Sequence, residues 1–308
     1  MLPILLKTLP FFALIGLGYG AGRTHMFGEA ATAALTKFVF YFALPAMLFR
    51  FAATLDIAHI WDGALAAAYL SGTVAVYVLA TAVGWVRRLD IPTNAVEAQC
   101  SVIGNVGFLG LPMLAVLLGD AAVGPMILIL SIDLIVFSSL IVILITGSRD
   151  GRMSLSVLRT IGLGLIRNPM IVAISAGLVW SSTGWSIPAP ANDFLLILGA
   201  AATPGALFAI GASLASKSAE RIEIAGWLSF AKLVLHPVAV ALTAVYLFPL
   251  DAFTFAVVVA CAAMPVAGNV YILAQHYGVA PQRVSASILL STAVSVVTLT
   301  AVIGWVSP

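Results

Sequence analysis

Runs of about twenty mostly apolar residues recur ten times along the chain, with hardly a charge inside them. That is the length a helix needs to cross the hydrocarbon core of a bilayer, about 30 Å thick. The runs lie near 3–22, 30–51, 63–86, 95–119, 121–146, 169–187, 193–215, 223–247, 252–276 and 284–306. They are continuous rather than alternating, which excludes a β-barrel, whose strands span only about ten residues. Charged residues make up 8% of the chain, against about 25% in a soluble domain. The deficit is even, so no soluble domain is expected at either end. The expected fold is therefore an all-α integral membrane protein. Lys7 followed by the apolar run Leu9 to Gly20 has the look of a signal peptide. The next apolar run follows so closely that the first is read as a retained membrane helix.

Arginine and lysine placement gives an orientation, because cytoplasmic loops carry the excess of both. With the N-terminus outside, the inside loops hold Arg23; Arg87 and Arg88; Arg149, Arg152, Arg159 and Arg167; Lys217 and Arg221; and Arg283. The outside keeps only Lys7 and Arg50, while Lys37 and Lys232 fall within helices. Both termini are then expected on the non-cytoplasmic side. The net charge of +2 is too small and scattered for a nucleic-acid footprint. Cys100 and Cys261 lie inside apolar runs, which argues against a disulfide framework or a thiolate metal site, and no metal centre is expected.

The longest connection, 147–168, is basic and repeats Leu155, Leu158, Ile161 and Leu165 at helical spacing. It predicts a short amphipathic helix on the cytoplasmic surface. It also divides the chain into 1–146, a linker at 147–168, and 169–308, with five spans in each half. An odd number of spans per half means that two halves of one fold must be oppositely oriented. They share features in register: Pro45 in the second run against Pro204 in the seventh, and Gly104-Asn105-Val106 in the fourth against Gly268-Asn269-Val270 in the ninth. Inverted repeats of this kind are a common transporter plan.

The fourth run reads Gly104-Asn105-Val106-Gly107-Phe108-Leu109-Gly110-Leu111-Pro112, and the ninth holds Met264-Pro265-Val266-Ala267-Gly268-Asn269. Proline removes a backbone donor and disfavours helix in the residue before it. Both helices, the fourth and the ninth, are thus expected to be broken near the bilayer midplane, with Pro112 and Pro265 as the breaking residues. Unwound backbone in hydrocarbon is tolerated only where it is buried or lines a wet cavity. Two equivalent breaks point to one shared site, whose half-helix N-termini suit an anion and whose freed carbonyls suit a cation. Asn105 and Asn269 supply donors and acceptors there. The alternative is that the glycines serve close packing and the asparagines tie off loose backbone.

The run 105–112, together with Met264-Pro265 … Asn269-Val270-Tyr271-Ile272-Leu273-Ala274 … Tyr277-Gly278, resembles the two crossing-helix motifs of the auxin efflux carrier family. The resemblance covers the whole chain and implies the fold shared with bile-acid/sodium symporters. In that fold spans 1, 2, 6 and 7 form a scaffold that often dimerises. Spans 3, 4, 5, 8, 9 and 10 form a core that moves as an elevator. The resemblance places substrate between Asn105 and Asn269, with Gly104, Gly107 and Gly268 beside them, and has Pro112 and Pro265 shape the crossing. Bacterial relatives are often named for malonate or malate, which implies small organic anions as substrates and the bacterial inner membrane as location. Plant carriers often have a much longer central loop, so regulation through that loop does not carry over.

A charge at the bilayer centre costs about 2.5–3.5 kcal/mol and marks a functional candidate. Asp133, mid-way along the fifth run, is read as a carrier of a coupling proton (H+) or part of a cation site, Na+ being the candidate ion, or else as a buried structural acid or salt-bridge partner. Lys232 and His236, with Ser229, share one face of the eighth run. Lys232 would meet a substrate carboxylate or pair with Asp133. His236 would titrate near neutral pH, or be structural before Pro237. Lys37 is expected to snorkel to the interface. Glu97 and Asp193 are expected to favour helix starts, and Gln275 and His276 to be interfacial. No cofactor is expected beyond a coupling ion.

Three classes of function follow: a carrier for organic anions, a channel or sensor, and an intramembrane enzyme. The last lacks a nucleophile–base pair, paired buried acids, and any Gly-x-Ser-x-Gly or His-Glu-x-x-His run. No nucleotide-binding loop is present either.

Overall fold

A computed structural model describes residues 2–54, 62–150, 159, 162–163, 165–215 and 222–306. Its helices, in chain order, are α1 (Leu2–Arg23), α2 (Glu29–Thr54), α3 (Gly63–Val86), α4 (Ile91–Val102), α5 (Val106–Leu118) and α6 (Asp120–Ser148). They continue with α7 (Pro169–Ser182), α8 (Ala189–Ala215), α9 (Ile222–Leu247), α10 (Ala252–Ala262), α11 (Gly268–Tyr277) and α12 (Pro281–Val306). Among the described residues there is no strand, so the chain is all-helical. Six helices, α2, α3, α6, α8, α9 and α12, are each long and apolar enough to cross a membrane. Lys217, Arg221, Arg152 and most of the surface helix expected over 147–168, with Leu155, Leu158 and Ile161, lie outside the described residues.

Polar side chains start several helices. The Asp62 carboxylate accepts from the Leu65 amide (3.0 Å) at the head of α3. Asp251 accepts from Phe253 and Thr254 (3.0 and 3.1 Å) at the head of α10. Asn168 accepts from Met170 (2.9 Å), with Pro169 at the first helical position of α7. Each satisfies amides that have no partner within the helix.

Prolines account for most of the irregular turns. The π-helical turns at Val39–Ala43, Val106–Gly110, Ala231–Leu235 and Thr243–Leu247 each end two residues before a proline: Pro45, Pro112, Pro237 and Pro249. A wider turn makes room for the ring and re-pairs carbonyls left without a donor. The π turn at Asp133–Phe137 has no such proline. Turns of this kind concentrate at functional sites.

The helices group by packing. α1 lies along the second half of α8, and α7 along the second half of α2. Gly211 permits the first contact: a methyl group added there would stand 1.9 Å from the Ile15 carbonyl oxygen. Small residues at such crossings let backbones approach closely inside a bilayer. Elsewhere α3 packs on α4 and α9, and α9 on α12.

The fourth and ninth runs are both broken. The first is interrupted at residues 103–105, between α4 and α5, and the second at 263–267, between α10 and α11. Pro265 lies within its break, but Pro112 does not. The chain re-enters helix at Val106, and Pro112 sits near the start of the α-helical part of α5. Proline is tolerated there because the π turn at Val106–Gly110 makes room for its ring.

Candidate functional site

The two breaks cross and are stitched together by backbone. The Asn105 amide donates to the Pro265 carbonyl (2.8 Å), and the Ala267 amide to the Ile103 carbonyl (3.0 Å). Gly104 and Val266 form an antiparallel bridge. Unwound polar backbone thereby finds partners within the apolar interior, where an unsatisfied group would cost several kcal/mol. Gly104 sits in a tight place: an added methyl would lie 3.2 Å from the Cys261 carbonyl oxygen and 3.3 Å from Lys232 Cε.

Four helix ends meet at this point. The C-termini of α4 and α10 stop at Val102 and Ala262, and the N-termini of α5 and α11 begin at Val106 and Gly268. The N-terminal side is open. A cavity of about 1130 Å³ reaches Asn105, Gly268 and Asn269 from the side of Arg23, Lys37 and Gln282. A second, of about 510 Å³, reaches the same three residues from the side of Arg167 and Asn168, and also touches Gly104, Gly107 and Asp133. Asn105 is nearly buried, and the Asn269 side-chain oxygen is buried without a hydrogen-bond partner. Gly268 stands open, since an added methyl would meet nothing within 4 Å. Phe40 and Phe108 stack at 6.4 Å beside the crossing.

The C-terminal side is filled by protein. Lys232 and His236 are wholly buried and line neither cavity. The Lys232 ammonium donates to the Ala262 carbonyl at the end of α10 and contacts His236 Nδ1 at 3.0 Å. An ammonium has no acceptor, so Nδ1 accepts and the ring proton is on Nε2. Nε2 then donates to Thr73 Oγ1 (3.0 Å), whose own proton goes to the Tyr69 carbonyl (2.6 Å). Each hydrogen in this chain has one consistent place with His236 neutral.

Asp133 is also buried. Its Oδ1 accepts from the Tyr69 hydroxyl at 2.8 Å, and its Oδ2 has no hydrogen-bond partner. Asp133 and Lys232 are near enough to act on each other electrostatically but make no direct ion-pair contact: the ammonium is held by Ala262 and His236, and the carboxyl group by Tyr69. Tyr69 and Thr73 were not singled out from sequence. Their spacing along one face of α3 was the available signal, and it is also what a packing face requires.

Other residues depart from expectation. Glu97 is not at a helix start: it is buried mid-way along α4, between Arg87 (2.5 Å) and Arg283. Lys37, Gln275 and His276 line the cavities rather than only the interface. Asp193 is exposed near the start of α8, and its neighbour Asn192 accepts from Arg50 (3.0 Å). Among the described residues no His, Cys, Asp and Glu cluster could hold a metal ion.

Residues 3–303 match a family described as membrane transport protein. A Rhizobium meliloti (strain 1021) protein named "Putative malonate transporter" is 31% identical over 299 residues, covering 95% of this chain and 92% of its own length. "Uncharacterized transporter YfdV" of Escherichia coli (strain K12) is 26% identical over 300 residues, with 94% and 93% covered. "Auxin efflux carrier component 5" of Arabidopsis thaliana is 23% identical over 331 residues, with 95% and 93% covered.

Proposed function

The chain belongs to the membrane transport protein family, that of the auxin efflux carriers, and is a multi-pass membrane transporter rather than an enzyme; from that premise we propose that it carries small organic anions across the bacterial inner membrane, binding them at the crossing of its broken helices. The observation that carries this reading is the pair of helix N-termini, α5 and α11, whose first residues wall both cavities together with Asn105 and Asn269. Each N-terminus presents about half a positive charge and unpaired amides, which suits a carboxylate. The smaller cavity, about 510 Å³, is of the size that small-molecule sites have, and the larger, about 1130 Å³, slightly exceeds it. Dicarboxylates, named in one relative, and auxin-like aromatic carboxylates, named in another, are the candidate classes.

In this reading Asn105, Asn269, Gly104, Gly107 and Gly268 contact substrate, and Pro265 shapes the crossing. Asp133, which lines the smaller cavity and has a buried carboxyl oxygen without a hydrogen-bond partner, is the candidate for a coupling proton or cation. The spans form two inverted five-helix repeats, with both termini outside. Spans 1, 2, 6 and 7 are the scaffold, the place for a homodimer contact, and the remaining spans are the elevator. The close packing of α1 on α8 and α2 on α7 supports that division. A channel would instead want rings of repeated polar pore residues.

The test is transport current from proteoliposomes on concentration jumps of malonate, malate and indole-3-acetate, with radiolabel counterflow for electroneutral exchange. Saturable flux of one compound, lost in the Asn105→Ala/Asn269→Ala double variant, is expected. Silence across the panel in both assays would reject the organic-anion class, and flux that does not saturate would favour a channel.

A further inference from the structure

Lys232 is the one expected substrate contact that the cavities do not reach, and its surroundings assign it a different task. Two half-helices end at the crossing, α4 at Val102 and α10 at Ala262. Each C-terminus carries about half a negative charge, so together they present about one. Carbonyls freed at such ends are where carriers with broken helices coordinate an inorganic cation. Here the place is taken. The Lys232 ammonium bonds the Ala262 carbonyl, and its stem passes against Gly104, 3.3 Å from where a side chain would begin. It therefore touches both breaks. One fixed positive charge meets about one unit of helix-end negative charge in a site buried from water, with the Asp133 carboxyl group also near enough to act on it.

We propose that Lys232 is a tethered cation that stands in for a metal ion at the crossing, so that transport requires no sodium there. This rests on the transporter reading above and deepens it. His236 is the positioning residue: it accepts from the ammonium through Nδ1, and Thr73 holds its ring from the other side. The substrate anion and the ammonium then lie on opposite faces of one crossing, the anion at the N-termini and the cation at the C-termini. Lys232 supports substrate binding without touching substrate.

The experiment compares wild type with Lys232→Ala and Lys232→Met in matched sodium chloride and N-methylglucamine chloride. One arm, thermal unfolding of detergent-solubilised protein, needs no substrate. The other is malonate counterflow in liposomes. With Lys232 intact, no sodium is expected to bind at the crossing, so any sodium effect on wild type in either arm should be abolished in Asp133→Asn. Both Lys232 variants are expected to unfold several degrees higher in sodium than without it, because a ligand that binds only the folded state stabilises it. Without sodium their flux is expected to fall at least about tenfold, within the usual range for coupling between two bound ligands. Sodium or methylammonium should restore part of it.

Sodium stabilisation of the protein with Lys232 intact that persists in Asp133→Asn would overturn the proposal, as would Lys232 variants that are folded, active and blind to cations. If neither variant can be purified without sodium but both can with it, the proposal stands. Failure in both salts would make Lys232 a structural residue and end it. Cation-dependent stability in the variants without flux of any tested anion would retain the tethered cation and reject the proposed cargo.

Discussion

At the scale of single residues, buried charge is the most informative feature of this chain. Glu97 bridges Arg87, at the end of α3, and Arg283, at the start of α12. Its side chain is 3% exposed, while those of Arg87 and Arg283 are 30% and 18% exposed. Removing one partner of a fully buried pair costs about 3–5 kcal/mol. The exposure of both arginines lowers that figure, so Glu97→Ala is expected to lose about 2 kcal/mol. Arg87→Ala should lose less, since Arg283 still neutralises the carboxylate. Thermal unfolding of the two variants checks the order; equal losses would mean that the carboxylate is not the hub. The same logic applies to Tyr69. Its hydroxyl is the one hydrogen-bond donor described at the Asp133 carboxylate. Tyr69→Phe is expected to cost about 1–3 kcal/mol, the cost of leaving a buried polar group without its hydrogen bond. Asp133→Asn/Tyr69→Phe should cost less than the sum of the single changes.

At the scale of elements, the breaks separate what sequence could reveal from what it could not. Apolar runs announced each helix within a few residues, because the bilayer fixes both their length and their composition. Glycine, asparagine and proline together announced two interrupted spans. Where the fourth span is interrupted was not legible: Pro112 is the strongest local breaker, yet the helix runs through it and the break lies at Gly104-Asn105. What decides the position is the backbone pairing of residues 103–105 with 265–267, a contact between segments some 160 residues apart. The cluster of Tyr69, Thr73, Lys232 and His236 was half legible for the same reason. The i, i+4 pair on α9 is local, but its partners on α3 and α10 are not. Two substitutions follow. Pro112→Ala should leave the crossing intact and transport close to wild type. Gly268→Leu should fill the open space beside Asn269, leaving stability nearly unchanged and reducing flux about tenfold or more, as misplacement at a binding site does. Flux and unfolding temperature measured on the same preparations check both; a Pro112→Ala protein without flux would return proline to the role first expected of it.

At the scale of the whole molecule, the remaining question is whether the two halves lie in the bilayer in opposite senses. Two observations bear on it. The Gly104–Val266 bridge is antiparallel, so the fourth and ninth spans run in opposite directions where they cross, as two inverted five-span halves would. Arg23, Arg87, Arg88, Arg167 and Arg283 fall in loops or at helix ends that this topology puts on one side. Met26, between α1 and α2, would then face the cytoplasm, and Ser186, between α7 and α8, the opposite side. Both are exposed, and Cys100 and Cys261 are buried, so the native thiols should be silent towards a membrane-impermeant maleimide. Ser186→Cys is expected to label in intact cells. Met26→Cys should label only after the inner membrane is opened. The reverse pattern would turn the molecule over while keeping the halves opposed. Labelling of both from one side would leave an even number of crossings between residues 26 and 186 where the inverted arrangement needs five, and the relation between the halves would have to be redrawn from the crossing outward.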